Sequence, residues 1–216
     1  MRAFTLLLFL LSAVLSEGLF AGSLQVTVKD RKGEPVANAV VSAEETGGGT
    51  THARGEVIID QRNKQFIPYV TAVQAGTSIL FPNSDKIRHH VYSLSPVKTF
   101  ELPLYSGIPA APVLFDQPGF VTLGCNIHDW MIAHVAVLET PYFQVTGPDG
   151  QVTLKGLPPG KYRVQIWQPL LKAKPEQLAQ SVELTAGSTR ALTFTLDLKP
   201  DFRVSRAPGL STGGYP

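Results

Sequence analysis

The residues best suited to chemistry lie in one short stretch, residues 124–134, with the sequence GCNIHDWMIAH. Cys125 is the only cysteine of the chain, His128 follows it by three residues, and Met131 follows His128 by three more. A thiolate, an imidazole and a long axial thioether are three of the four ligands of a mononuclear blue-copper site, and the fourth is a second histidine. The stretch therefore predicts a copper site, provided that folding brings another histidine to Cys125.

Simpler explanations of these residues are less consistent with the sequence. A lone cysteine is often a small buried hydrophobe, and a methionine often fills a gap in a core. The chain has only two methionines, however, and the other is Met1, so the position of Met131 is informative. Zinc fits less well than copper, because its structural sites use several cysteines and histidines.

The fourth ligand has four candidates, which are His52, His89, His90 and His134. His52 follows a glycine-rich segment, and His134 lies in the apolar run that leaves the cysteine stretch. His89 and His90 directly precede another apolar run, residues 91–94, which is typical of a short strand. Because a strand is a rigid support for a ligand, this pair is the preferred source, and the residues alone do not choose between them.

The N-terminus predicts export from the cytoplasm. Arg2 precedes an apolar run over residues 5–15, and small residues follow at Ser16, Gly18 and Ala21. This is the pattern of a secretory signal peptide, which we place at residues 1–22, with an uncleaved membrane anchor as the alternative. No other segment is long and apolar enough to span a bilayer. We expect a periplasmic or secreted protein with no integral membrane segment after cleavage.

Composition narrows the function classes. The net charge is +2 without a long run of lysine or arginine, which argues against nucleic-acid binding. Cysteines of exported proteins usually pair, but Cys125 has no partner within the chain, which favours a role as ligand. The serines and histidines lack the setting of a hydrolytic nucleophile, and a second cysteine for a dinuclear copper site is missing. We therefore expect a protein that is not an enzyme.

Alternation of apolar and polar residues predicts an all-β chain. The expected strands are bounded by Gly, Pro, Asn and Asp and cover residues 24–28, 39–43, 77–81, 91–94, 119–125, 134–138, 161–167, 180–184 and 191–198. Residues 172–179 are the one stretch expected to form a short helix or a loop. Residues 200–216 are rich in Pro, Gly, Ser and Arg, and we expect a disordered tail there.

Two separated parts of the chain resemble one β-sandwich family. Residues 149–150 (DG) and 157–162 (LPPGKY), with an earlier strand pair around residues 26–43, are similar to carboxypeptidase-regulatory or transthyretin-like domains. The two parts are separated by far more residues than the usual short loop. Because loops tolerate inserted domains, we predict such a sandwich over residues 23–50 and 141–199, with a second domain inserted at residues 51–140.

The inserted segment resembles the cupredoxin family, and its loop spacing is similar to that of amicyanin. The residues that carry the resemblance are those of the segment FIP at 66–68, the Gly-Thr pair at 76–77, Asn83, Asp85, a histidine before an apolar strand, and Cys125, His128 and Met131. The resemblance implies a Greek-key sandwich with one type 1 copper ion bound by His89, Cys125, His128 and Met131. His90 then occupies a position that is usually asparagine, and it is the alternative ligand.

The resemblance also implies a function, which is electron transfer. The expected partner is a redox protein such as a periplasmic cytochrome or a dehydrogenase, and the combined layout is similar to that of methylamine-utilisation proteins. Asp129 departs from the family pattern, which commonly has proline after the loop histidine. Copper handling or sensing is the alternative function, and a structural or interaction β-protein with an empty site is the third.

Overall fold

The computed structural model describes residues 21–49, 53–109 and 111–203. In chain order, the strands of this part are β1 (Gly22–Asp30), β2 (Val40–Glu45), β3 (Glu56–Ile58), β4 (Asp60–Arg62), β5 (Gln65–Ile67), β6 (Val70–Gln74), β7 (Thr77–Leu80), β8 (His89–Ser95), β9 (Lys98–Tyr105), β10 (Val113–Phe115), β11 (Gly119–Gly124), β12 (Ile132–Leu138), β13 (Phe143–Val145), β14 (Gln151–Leu157), β15 (Gly160–Trp167), β16 (Gln180–Leu184) and β17 (Thr189–Leu196). One short 3-10 helix, Pro175–Leu178, lies within the stretch predicted as helix or loop.

These strands form two β-sandwiches, which confirms the predicted all-β fold class. The first sandwich joins a sheet in the order β14-β1-β17 to one in the order β13-β2-β15-β16. Alternate side chains of β15, namely Tyr162, Val164 and Ile166, point into its core, as the period of two in the sequence predicts. The same core receives Leu24, Val26 and Val28 from β1.

The second sandwich consists of strands β3–β12. Its larger sheet has the order β6-β12-β11-β8-β9, and a smaller sheet has the order β10-β7-β3. Their facing side chains form a second hydrophobic core, which includes Phe81, Val91 and Leu123 and also Cys125 and Met131. All of these strands lie between β2 and β13 of the first sandwich. The predicted domain limits stay a prediction, since residues 50–52 lie outside the described part. The predicted family of the first sandwich also stays a prediction.

The predicted signal peptide and tail fall mostly outside the described residues. Of residues 1–22, only 21 and 22 are described, and Gly22 begins β1. Of residues 200–216, only 200–203 are described. In the described ranges the structure contains no helix of the length and apolarity that crossing a membrane would require.

The Tyr162 hydroxyl closes the LPPGKY turn of the first sandwich. It donates a 2.8 Å hydrogen bond to the carbonyl oxygen of Pro158, while its ring is 1% exposed. We expect Tyr162→Phe to lower the free energy of unfolding by about 1 kcal/mol, because this part-buried hydrogen bond is lost. Tyr162→Leu should cost more, since it also leaves a cavity. Denaturant titration measures both, and an unchanged value in Tyr162→Phe would show that the hydroxyl contributes nothing.

His134 lies on β12 where the two sandwiches meet. Its ring contacts Tyr69 edge-on, with 5.2 Å between centroids, and Trp167 of the first sandwich at 6.0 Å. Its Nδ1 lies 3.1 Å from the hydroxyl of Thr122. Burial, and secondarily the cation of Arg203, lower its pKa to about 4. His134 is therefore neutral in the folded protein at neutral pH.

This low pKa makes stability depend on pH. The unfolded chain binds a proton at His134 near pH 6.5 and the folded chain only near pH 4, so stability is full above pH 6.5 and is lost as the pH falls toward 4. Between pH 7.5 and 5.0 we expect His134 to account for about 2 kcal/mol of lost stability. Unfolding curves at both pH values should show that His134→Gln loses less stability between them than the wild type does. An equal loss in both proteins would contradict this assignment.

Candidate metal centre

His89 begins strand β8 and is completely buried. Its Nδ1 lies 4.0 Å from the Cys125 sulfur, and its Nε2 lies 2.8 Å from Oδ2 of Asp85. The two nitrogens therefore face different partners. A hydrogen bond from Nε2–H to the carboxylate leaves the lone pair of Nδ1 directed toward the cysteine.

Asp85 is itself held by the tip of a neighbouring hairpin. Its carboxylate accepts hydrogen bonds from the backbone N–H groups of Asn63 at 2.7 Å and Lys64 at 2.9 Å. These two residues join β4 to β5 with φ values of 54° and 56°, the left-handed conformation of a tight hairpin turn. Burial alone would raise the pKa of Asp85, but donors from Lys64, His89 and Asn63 outweigh it and lower the pKa. Asp85 is therefore ionised at neutral pH and fixes the His89 ring.

Residues 125–131 form a loop whose two ends are held together by the sheet. Gly124, at the end of β11, pairs with Ile132 at the start of β12 and with Tyr92 on β8. A Cβ atom at Gly124 would lie 2.8 Å from the Tyr92 ring, so a larger residue here would have to displace that ring. Within the loop, the Met131 N–H donates to the His128 carbonyl oxygen at 2.9 Å. The sheet therefore positions Cys125 next to the strand that carries His89.

Three of the predicted ligands converge. The candidate ligand atoms of His89, Cys125 and His128 all lie within 4.8 Å of one another. His89 and Cys125 are buried, whereas His128 is partly exposed, and the rings of the two histidines are 5.2 Å apart. Two imidazoles and one thiol at this spacing could hold a metal ion, and they are donors that suit copper.

The state of His128 provides a test of whether a metal fits. Its Nδ1 is buried and has no hydrogen-bond partner in the described part of the chain. Burial first, then the charges of His89 and Lys64, lower the pKa of His128, although Asp85 and Asp129 act in the opposite direction. A buried nitrogen without a partner is costly as a structural feature and suitable as a metal ligand. The Nδ1 of His90 is also buried without a partner among the described residues, but only His128 belongs to the group with His89 and Cys125. The residues present therefore fit a soft metal ion.

Met131 is 1% exposed and belongs to the same hydrophobic cluster as Cys125. Its thioether is thus shielded from water in the same core as Cys125. Its role as axial ligand stays a prediction.

The two adjacent histidines have different surroundings. His90 is 5% exposed, but its Nε2 lies 2.8 Å from the Glu101 carboxylate, and its ring contacts Tyr92. It does not belong to the group formed by His89, Cys125 and His128. His90 therefore connects β8 to β9, and of the two histidines the structure brings His89 to the cysteine.

Trp130 connects the loop to the β4–β5 hairpin. Its ring lies 5.1 Å from the His128 ring, and its indole N–H donates to the Lys64 carbonyl oxygen at 3.2 Å. Together with Asp85, this contact fixes the hairpin tip to the site. Sequence reasoning did not identify Lys64. Asp85 is among the residues that carry the resemblance in the sequence, but its contact with His89 becomes visible only in the structure.

No family model matches the chain, and no curated protein matches it either. Among solved structures it is similar to a copper-containing nitrite reductase from Thermus scotoductus SA-01, with 23% identity over 39% of this chain, 22% of that chain and a TM-score of 0.37. It is also similar to a purple cupredoxin from Nitrosopumilus maritimus, with 20% identity over 39% of this chain, 99% of that chain and a TM-score of 0.34. Amicyanin from Paracoccus versutus is 16% identical over 38% of this chain and 80% of that chain, with a TM-score of 0.33. The chain thus spans about a fifth of the nitrite reductase and nearly all of the purple cupredoxin.

Proposed function

We propose that this chain is a periplasmic or secreted copper protein that transfers single electrons between partner proteins. His89, Cys125, His128 and Met131 would hold one copper ion. The observation that carries the proposal is the convergence of one thiol and two imidazoles, with the buried Nδ1 of His128 unpartnered in the described structure. When bound there, copper supplies a one-electron couple, since thiolate, imidazole and thioether suit both Cu(I) and Cu(II).

The protein contributes rigidity and exclusion of water. Asp85 fixes the His89 ring, and the pairing of Gly124 with Ile132 fixes the ends of the cysteine loop. Ligands that are already in place need little rearrangement between oxidation states, and this favours fast electron exchange. His128 is the ligand that is partly exposed, so we assign the route to a partner to its outer edge. The function requires no catalysis by this chain.

Copper reconstitution of the mature protein tests the proposal. We expect Cu(II) to produce an intense visible band from thiolate-to-copper charge transfer, and voltammetry to show a reversible one-electron couple. Fast self-exchange with retention of the metal would support electron transfer. Release of Cu(I) to a chelator upon reduction would instead indicate copper handling. Absence of both the band and copper uptake would overturn the proposal and favour a structural or interaction role.

A further inference from the structure

A basic cleft lies beside the candidate metal centre. Arg62, Lys64, Lys86 and Ile87 contribute to the lining of a concavity of about 540 Å³, and we call these four residues the basic cleft. All four are exposed, with Ile87 at 43% exposure. The cleft therefore combines three cations with one accessible apolar side chain.

The carboxylates around this cleft are occupied by internal partners. Asp60 pairs with Arg62 at 2.8 Å and accepts a hydrogen bond from the Ser84 hydroxyl. Asp85 accepts backbone hydrogen bonds from the hairpin tip and lies against His89. Neither Lys64 nor Lys86 forms an ion pair with a described residue. The surface consequently presents net positive charge to solvent, with two ammonium groups available to a partner.

The basic cleft is directly connected to the site. The Lys64 carbonyl oxygen accepts a hydrogen bond from the indole of Trp130, whose ring packs on His128. Lys86 follows Asp85, which holds His89. A partner that docks on the cleft would therefore lie beside the partly exposed edge of His128. Charge placed near an exchange route raises the association rate and orients the encounter.

We propose that the basic cleft is the docking site for an acidic loop of a redox partner protein. This inference rests on the proposed function for its purpose, although the binding itself does not require copper. Asp or Glu side chains of the partner would pair with Lys64 and Lys86, and an apolar partner residue would cover Ile87.

The first experiment measures binding to the apo full chain with poly-L-glutamate as the probe. Tryptophan fluorescence, to which Trp130 beside the cleft contributes, reports binding, and calorimetry gives the dissociation constant. We expect salt-sensitive binding that is weakened about tenfold or more in Lys64→Glu/Lys86→Glu. The control, Lys155→Glu/Lys161→Glu, makes the same change in net charge on the first sandwich and should bind like the wild type. Equal weakening in both double variants, or no binding, would overturn the proposal.

The second experiment uses the copper-loaded chain and small redox reagents. The rate constant with hexacyanoferrate(II) should fall as salt rises, and that with hexaammineruthenium(II) should increase. Only Lys64→Glu/Lys86→Glu should reverse both trends. Identical salt profiles in the two double variants would contradict the assignment of the basic cleft as the docking site. Failure to take up copper would overturn the proposed function while the result with poly-L-glutamate still decides the docking site.

Discussion

Replacement of Cys125 by serine will abolish the intense visible absorption of the copper-loaded protein. The band requires a thiolate bound to Cu(II), and Cys125 is the only cysteine of the chain. A serine hydroxyl is a harder donor and stays protonated at neutral pH, so it replaces neither the softness nor the charge of the thiolate. We expect complete loss of the band rather than a shift.

The variant should still fold, which makes the loss informative. Cys125 is 6% exposed in the hydrophobic core, and serine is similar in size. The cost is that of one buried hydroxyl, about 1–3 kcal/mol, and the His89 ring lies close by as a polar neighbour. Circular dichroism and the unfolding midpoint of the apo protein check this point.

A matched control separates the ligands from their neighbours. His90→Gln changes the residue next to a candidate ligand and should retain the band, because the His90 ring lies against Glu101. His89→Gln should lose it. A band that persists without the thiol, or that disappears in His90→Gln, would contradict the ligand set.

Sequence spacing predicted the loop ligands but could not resolve the adjacent histidines. Cys125, His128 and Met131 lie within one short loop, so their proximity follows from local geometry. The choice of His89 depends on how β8 pairs with β9, where the register shifts between His89 and Val91. A bulge of this kind changes which side chain faces the core, and alternation alone does not locate it.

Strand β9 and the hairpin β4–β5 illustrate two further limits of prediction from the sequence pattern. β9 contains Pro103, which argues against a central strand, but it lies at the edge of its sheet, where proline is tolerated. β4 and β5 are three residues each, too short for a clear period. The contacts of Asp85 with this hairpin span 21 and 22 residues, and they depend on tertiary folding that no local pattern encodes.

Loss of the Asp85 carboxylate will weaken copper binding by about 10- to 100-fold, although Asp85 is not a ligand. Groups that hold the far nitrogen of a ligating histidine fix its orientation and raise its basicity, and their loss typically has this effect. In Asp85→Ala the Nε2 of His89 loses its 2.8 Å partner inside a core where the ring is fully buried. The ring is then free to turn its Nδ1 away from Cys125.

The same substitution should loosen the hairpin tip. The N–H groups of Asn63 and Lys64 lose a charged acceptor, and we expect the apo protein to lose about 2 kcal/mol of stability. A chelator competition titration measures copper affinity, and denaturant unfolding of the apo protein measures stability. Asp85→Asn should be intermediate, since an amide oxygen can still accept from Nε2 but carries no charge.

Asp129→Asn is the control that separates positioning from charge. It removes one negative charge beside His128 without touching His89, so its copper affinity should stay within about threefold of the wild type. A broadened visible band and a heterogeneous electron paramagnetic resonance spectrum in Asp85→Ala would show that the His89 ring has lost its fixed orientation. If both aspartate variants weaken copper equally and leave the spectra sharp, Asp85 acts only through its charge. A fixed orientation of His89 would then have to come from core packing alone.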